Sequence, residues 1–141
     1  MTKQKVNLSA IALDVDKDVE GIWHEFVPGL EVRIARLGNP NYKQHVAKLM
    51  KPFARMGKGG LSNDERLERV TKPAVAKHII KDWRGMVEGE EGNEVDVVYS
   101  AKKALEIILD PKFAPFYEWV IQTSSDNEEY TQAFEDELAG N

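Results

Sequence analysis

Residues 22–40, IWHEFVPGLEVRIARLGNP, decide the fold class. Pro28-Gly29 separates two β-prone runs, and Pro followed by Gly is the chemistry of the two central positions of a type II turn. Leu30, Val32 and Ile34 alternate with Glu31 and Arg33, a period of two that sends one face to a core and the other to water. The pattern predicts a β-hairpin over 22–37, with a first arm that alternates less cleanly. Asn39-Pro40 then predicts a helix start. The Asn side chain caps the backbone, and Pro at the first helical position gives up an N–H that has no partner there.

Beyond the hairpin the period changes. Val46, Leu49, Met50 and Phe53 fall at i, i+3, i+4 and i+7, one apolar stripe of a helix that Pro52 kinks or ends and Gly57, Gly59 and Gly60 finish. Ser62 to Glu65 reads as a capping box, so a helix or helix pair is expected from there to about Trp83, with Pro73 bending or restarting it. Residues 85–94 read as an acidic turn, and Val95 to Tyr99 as a short third strand. Ser100 caps a helix with Ala104, Leu105, Ile108 and Leu109 on one face. Asp110-Pro111 opens another, bearing Phe113, Phe116, Trp119 and Val120. A short acidic helix with Tyr130, Phe134 and Leu138 closes the chain. Because the two periods are segregated, the expected fold is α+β: mainly α-helical, with an N-terminal β-hairpin on four or five helices. One domain is expected over 1–141, with flexible ends at 1–20 and 139–141.

Composition narrows function before any motif does. The 141 residues contain no Cys, which excludes disulfides, a thiolate nucleophile and Cys-ligated metals. With neither an apolar run of membrane-spanning length nor signal-peptide features, a soluble cytoplasmic protein is expected. The net charge of −5 hides a division: residues 1–86 hold 16 Lys+Arg against 10 Asp+Glu, residues 87–141 hold 3 against 14. A +6 front and a −11 back suit partner binding or head-to-tail self-association.

Candidate chemistry is sparse. Asp14, Asp16 and Asp18, with Glu25 at the twelfth place, imitate a calcium loop, but Val19 occupies the position that needs Gly and the flank reads as strand. An acidic linker is the plainer reading. His24, His45 and His78 are scattered; Asp82 lies one helical turn from His78, yet no third zinc ligand is indicated. The run from Met56, MGKGGLS, lacks both the spacing of a phosphate-binding loop and a preceding strand. The stretch from Lys43 to Arg84 holds 11 Lys+Arg against 4 acids, a candidate phosphate-contacting face that the acidic back half opposes. Trp83, Phe113, Phe116, Trp119, Tyr130 and Phe134 are core by default, although a stripe left exposed would be an interaction site. The expectation is a protein that is not an enzyme, with no catalytic residues, cofactor or metal.

Several blocks together resemble a known family. Glu20-Gly21-Ile22-Trp23 and Arg33-Ile34-Ala35-Arg36-Leu37-Gly38-Asn39-Pro40 with Tyr42 open the resemblance. It continues through Asp82-Trp83-Arg84-Gly85-Met86, the Gly92-Asn93 turn, Tyr99-Ser100, Ala104-Leu105 with Leu109, Pro111, and Glu135 to Asn141. In this order and spacing they resemble the tail assembly chaperones of long-tailed bacteriophages and prophages. The resemblance implies binding of the tape measure protein in the host bacterial cytoplasm, with release before the virion matures. It also implies a longer form made by ribosomal frameshifting, which recruits tail tube protein. It carries no catalytic residues and assigns no partner-contact residues. A minor tail or head-to-tail joining protein, and a small nucleic-acid-binding regulator, are the rival readings.

Overall fold

The structure is a computed structural model that describes residues 5–54, 63–126 and 130. Its elements run α1 (Val15–Glu20), β1 (Ile22–Val27), β2 (Leu30–Ile34), α2 (Pro40–Ala54), α3 (Asn63–His78), β3 (Ile80–Arg84), β4 (Val87–Glu88), β5 (Val95–Asp96), α4 (Ala101–Leu109) and α5 (Ala114–Ser124), with 3-10 turns at Leu8–Ile11 and Pro111–Phe113. β1, β2 and β3 form an antiparallel sheet with β2 at its centre; β4 and β5 form a separate ribbon. The fold is α+β and mainly helical, with the hairpin where the alternating pattern places it.

Pro28-Gly29 makes the hairpin turn, with Gly29 at φ +93°. Pairing slips between Glu25 and Val27, so Phe26 is an extra residue on β1 and rejoins the core face. The imperfect alternation of the first arm arises before the bulge, where His24 stands on the core face opposite Val32 and Trp23 on the polar face opposite Arg33. On β2, Val32 and Ile34 are fully buried. They pack with Val75, Ile79, Ile80, Trp83, Ile108, Phe116 and Val120, so one core cluster draws on the sheet and on α3, α4 and α5.

Three of the expected caps form. Asn39 Oδ1 accepts from the Tyr42 N–H at 3.0 Å, and Ser100 Oγ accepts from the Lys103 N–H at 2.9 Å. Asp110 Oδ1 likewise accepts from the Lys112 N–H at 3.0 Å, opening the turn before α5. Pro52 lies in the last turns of α2, and α3 runs without interruption through Pro73. Within the segment expected to be flexible, residues 15–20 form a helix capped by Asp14, whose side chain accepts from the Asp16 and Lys17 N–H groups. The capping residue Ser62, the Gly57 to Gly60 run, the MGKGGLS loop, Phe134, Leu138 and residues 139–141 lie outside the described residues.

Two expectations are corrected. The helix expected to reach Trp83 ends at His78, and Ile80–Arg84 is instead the third strand of the sheet. The cause is long-range: β2 offers an open edge, Val32 pairs with Trp83 and Ile34 with Ile80, and both strand residues reach the core. The strand expected over Val95 to Tyr99 shrinks to Val95–Asp96, paired outside the main sheet. Its remainder braces β3 through side chains: the Trp83 indole N–H donates to the Val97 carbonyl at 2.6 Å, and the Tyr99 hydroxyl to the Ile80 carbonyl at 2.6 Å.

Gly85, at φ +85°, abuts the Gly29 carbonyl, so the end of β3 is seated against the hairpin turn. A Cβ at Gly85 would collide with that backbone, whereas one at Gly29 would meet open space. Both Ala variants carry left-handed strain of about 1–2 kcal/mol. Gly85→Ala is expected to cost clearly more than Gly29→Ala in denaturant unfolding; equal losses would refute the packing of β3 on the turn.

Candidate functional site

The aromatic residues divide into core and rim. Tyr130 is completely buried, and Trp83 and Phe116 are each 6% exposed. Trp119 is half-buried and Phe113 is 42% exposed. Phe26 binds the two groups together: its ring centroid is 5.4 Å from Phe116, edge to face, and 4.8 Å from Trp119. Edge-to-face contacts suit the ring quadrupoles and hold the rings in one arrangement.

Beside this cluster lies an apolar groove of about 310 Å³. The bulge of β1 and the start of β2 supply Phe26 and Leu30, the ribbon and its flank Val87 and Val97, α4 Ile107, and the turn before α5 Phe113. Glu88 and Lys103 also line it, and their side chains approach to 3.8 Å. At 50% exposure Val87 adds a second apolar group to the rim. Phe116 of α5 also lines it, and of these residues Phe113 and Phe116 belong to the aromatic set evident in the sequence. Phe26 stands in an arm whose alternation His24 and Trp23 obscure, and Val87 in an acidic stretch that reads as a turn.

The other face of the sheet is polar. Trp23 lies opposite Arg33, and Arg84 stacks over its ring at 4.1 Å. Arg84 Nε and a terminal nitrogen donate to the two carboxylate oxygens of Glu31, each at 3.0 Å. This fork lowers the pKa of Glu31 and raises that of Arg84. A planar guanidinium held by a carboxylate and an indole is a well-satisfied cation on an exposed surface.

The calcium-like residues do not assemble. Asp14 is the cap of α1, Glu25 is exposed on the polar face of β1, and Asp18 Oδ1 accepts from Arg36 Nε at 2.6 Å. Among the described residues no group of three His, Asp or Glu is placed to hold a metal. His78 ends α3 and Asp82 lies in β3, so one helix does not carry both. His45 and His78 do meet, across α2 and α3, with ring centroids 4.9 Å apart and nearly perpendicular. His24 is remote from them, on the core face of β1 opposite Val32. The basic stretch separates into α2 and α3, joined by residues outside the description, and β3.

The chain belongs to a family of prophage proteins. The model of the YdaY prophage protein family matches residues 37–141, from the end of the sheet's central connection through α5 and on to the last residue. No curated protein and no solved structure matches the chain. No helix among the described residues is long and apolar enough to cross a membrane.

All three imidazoles are held below their ordinary pKa. Burial acts first at each; Lys77 and Lys48 add to it at His45, and His45, Lys81 and Lys77 at His78, while Asp126 opposes it at His24. Below about pH 6.5 the unfolded chain therefore takes up protons before the folded one does. Stability is fully present above that pH and falls as the pH drops toward the folded values. The melting temperature should decline on acidification from about pH 7 to 5, and a His45→Gln, His78→Gln variant should decline less. A flat profile for the parent protein would refute this.

Proposed function

We propose that this prophage protein is a tail assembly chaperone that holds apolar helical segments of a tape measure protein in the groove between the hairpin tip, α4 and the turn before α5. The apolar groove with Phe113 and Val87 at its rim carries the reading. An amphipathic helix presents apolar side chains at intervals of three and four, and a shallow groove of this size takes two or three of them. The prophage family and the collinear resemblance to tail assembly chaperones support the same role. In this reading the protein acts by covering apolar surface, without a reaction of its own, and leaves before the virion is complete. A frameshift-extended form would add the contact to tail tube protein.

Co-expression tests it directly. The parent protein should keep the tape measure protein soluble and co-purify with it. A Phe113→Asp, Val87→Asp variant, altering two exposed positions, should weaken capture at least about tenfold, whereas Leu67→Asp on α3 should not. Unchanged solubility with the parent protein would overturn the chaperone reading. Recovery of the protein in purified virions would favour a minor tail or joining protein instead.

A further inference from the structure

The charge division seen in the sequence becomes two separate surfaces in the fold. Along α2 the charged residues are Lys43, Lys48 and Lys51, all exposed, and the helix carries no Asp or Glu. His45 on this helix touches His78 at the end of α3, where exposed Lys77 and half-buried Lys81 extend the same cationic surface. Among the described residues, the charges that help hold the two imidazoles neutral are those of Lys48, Lys77 and Lys81 and of His45 itself. Such a surroundings repels a divalent cation and favours an anionic partner, so the histidine pair is read as part of an anion-accepting face rather than a metal site.

The complementary surface is the β4–β5 ribbon. Between Arg84 and Lys102 the chain has no Lys or Arg, and Glu88, Glu90, Glu91, Glu94 and Asp96 are all exposed. Among the described residues, one of these five, Glu88, meets a cation, Lys103 at 3.8 Å. The ribbon springs from the groove side of the molecule, beside α4, while α2 packs against α3. Among the described residues no ion pair joins a ribbon carboxylate to α2, so the two surfaces do not neutralise each other within one chain.

We propose that the acidic β4–β5 ribbon of one copy docks on the lysine and histidine face of α2 and the end of α3 in a second copy. The contact joins different patches, so a pair keeps one free patch of each sign and the contact can repeat into a ring or an open chain. Charge complementarity of this kind accelerates encounter and fixes orientation, and salt weakens it.

Two variants test the contact, both altered only at exposed positions: a face variant, Lys48→Glu with Lys77→Glu, and a ribbon variant, Glu90→Gln with Glu91→Gln, which neutralises the ribbon without making it attractive to the altered face. Circular dichroism and melting establish that each is folded. In about 0.1 M salt, light scattering should show the parent mass rising with concentration above the 16.0 kDa of one chain, and falling back toward it in about 1 M salt. Each variant alone should remain a monomer. Their equimolar mixture should stop at two copies, because the intact ribbon of the face variant meets the intact face of the ribbon variant and neither end can extend. A parent that stays monomeric, a variant that self-associates as the parent does, or a mixture that stays monomeric would each overturn the proposal. None of these readouts involves the tape measure protein, so they are independent of the chaperone reading.

Discussion

The fold depends on the backbone of residues 34–37, where the central strand leaves the sheet. Successive polar groups there are claimed by different parts of the chain. The Ile34 carbonyl accepts from the Tyr130 hydroxyl at 3.0 Å, and the Ala35 N–H donates to the Ile79 carbonyl at 2.8 Å. The Arg36 N–H donates to the Asp18 carbonyl at 3.3 Å, and the Leu37 N–H to the Ser124 carbonyl at 2.8 Å. A buried backbone group must be paired, so each of these bonds positions an element as well as stabilising it. The end of α3, helix α1 and the end of α5 are registered against one extended segment of four residues. The side chains add to this: Arg36 Nε reaches Asp18, and buried Asn39 returns its amide to the Arg36 carbonyl at 2.6 Å.

This arrangement explains how a small sheet supports an open groove. One face of the sheet is sealed by α3, α4 and α5 around Val32 and Ile34. The other is finished with Trp23, Arg33, Glu31 and Arg84, where the Arg84–Glu31 fork and the two guanidinium groups over the indole stand without a covering layer. The apolar surface left over lies at the hairpin end, beyond the reach of residues 34–37, where Phe26 and Leu30 pass from the core to the groove. Rigid packing behind and exposed side chains in front is the arrangement a binding surface requires, since a groove that collapsed would bury its own contacts.

Local chemistry was legible in the sequence where it was decided locally. The Pro28-Gly29 turn, the Asn39 and Ser100 caps, the Asp110-Pro111 turn and the alternating arm of β2 each form as their spacing predicts. The stretch Ile80–Arg84 did not, because its strand state rests on pairing with residues some 50 positions earlier and on the indole bond to Val97. A single sequence does not display such partners. The groove was half legible for the same reason. Phe113 and Phe116 sit on a helical pattern, but Phe26 reaches it through a bulge and Val87 through a two-residue strand, neither of which has a periodic signal.

The ribbon belongs to both proposed surfaces, and that has a physical consequence. Val87 and Glu88 line the groove, while the carboxylates from Glu88 to Asp96 form the acidic surface. β4 and β5 contribute two residues each and pair in isolation from the main sheet; the ribbon is anchored at its base, where Val97 is buried and its carbonyl takes the Trp83 indole N–H at 2.6 Å, and further out by Glu88 beside Lys103 at 3.8 Å. An element anchored at its base, with exposed residues beyond, is free to respond when either side is occupied. By linkage, a ligand that favours one placement of the ribbon in the groove alters the affinity of the same ribbon for a second copy, and the reverse holds by the same factor. An apolar helical peptide bound at the groove should therefore shift the protein concentration at which the scattering mass rises. A concentration unmoved by saturating peptide would show that the two surfaces act independently, despite sharing Glu88.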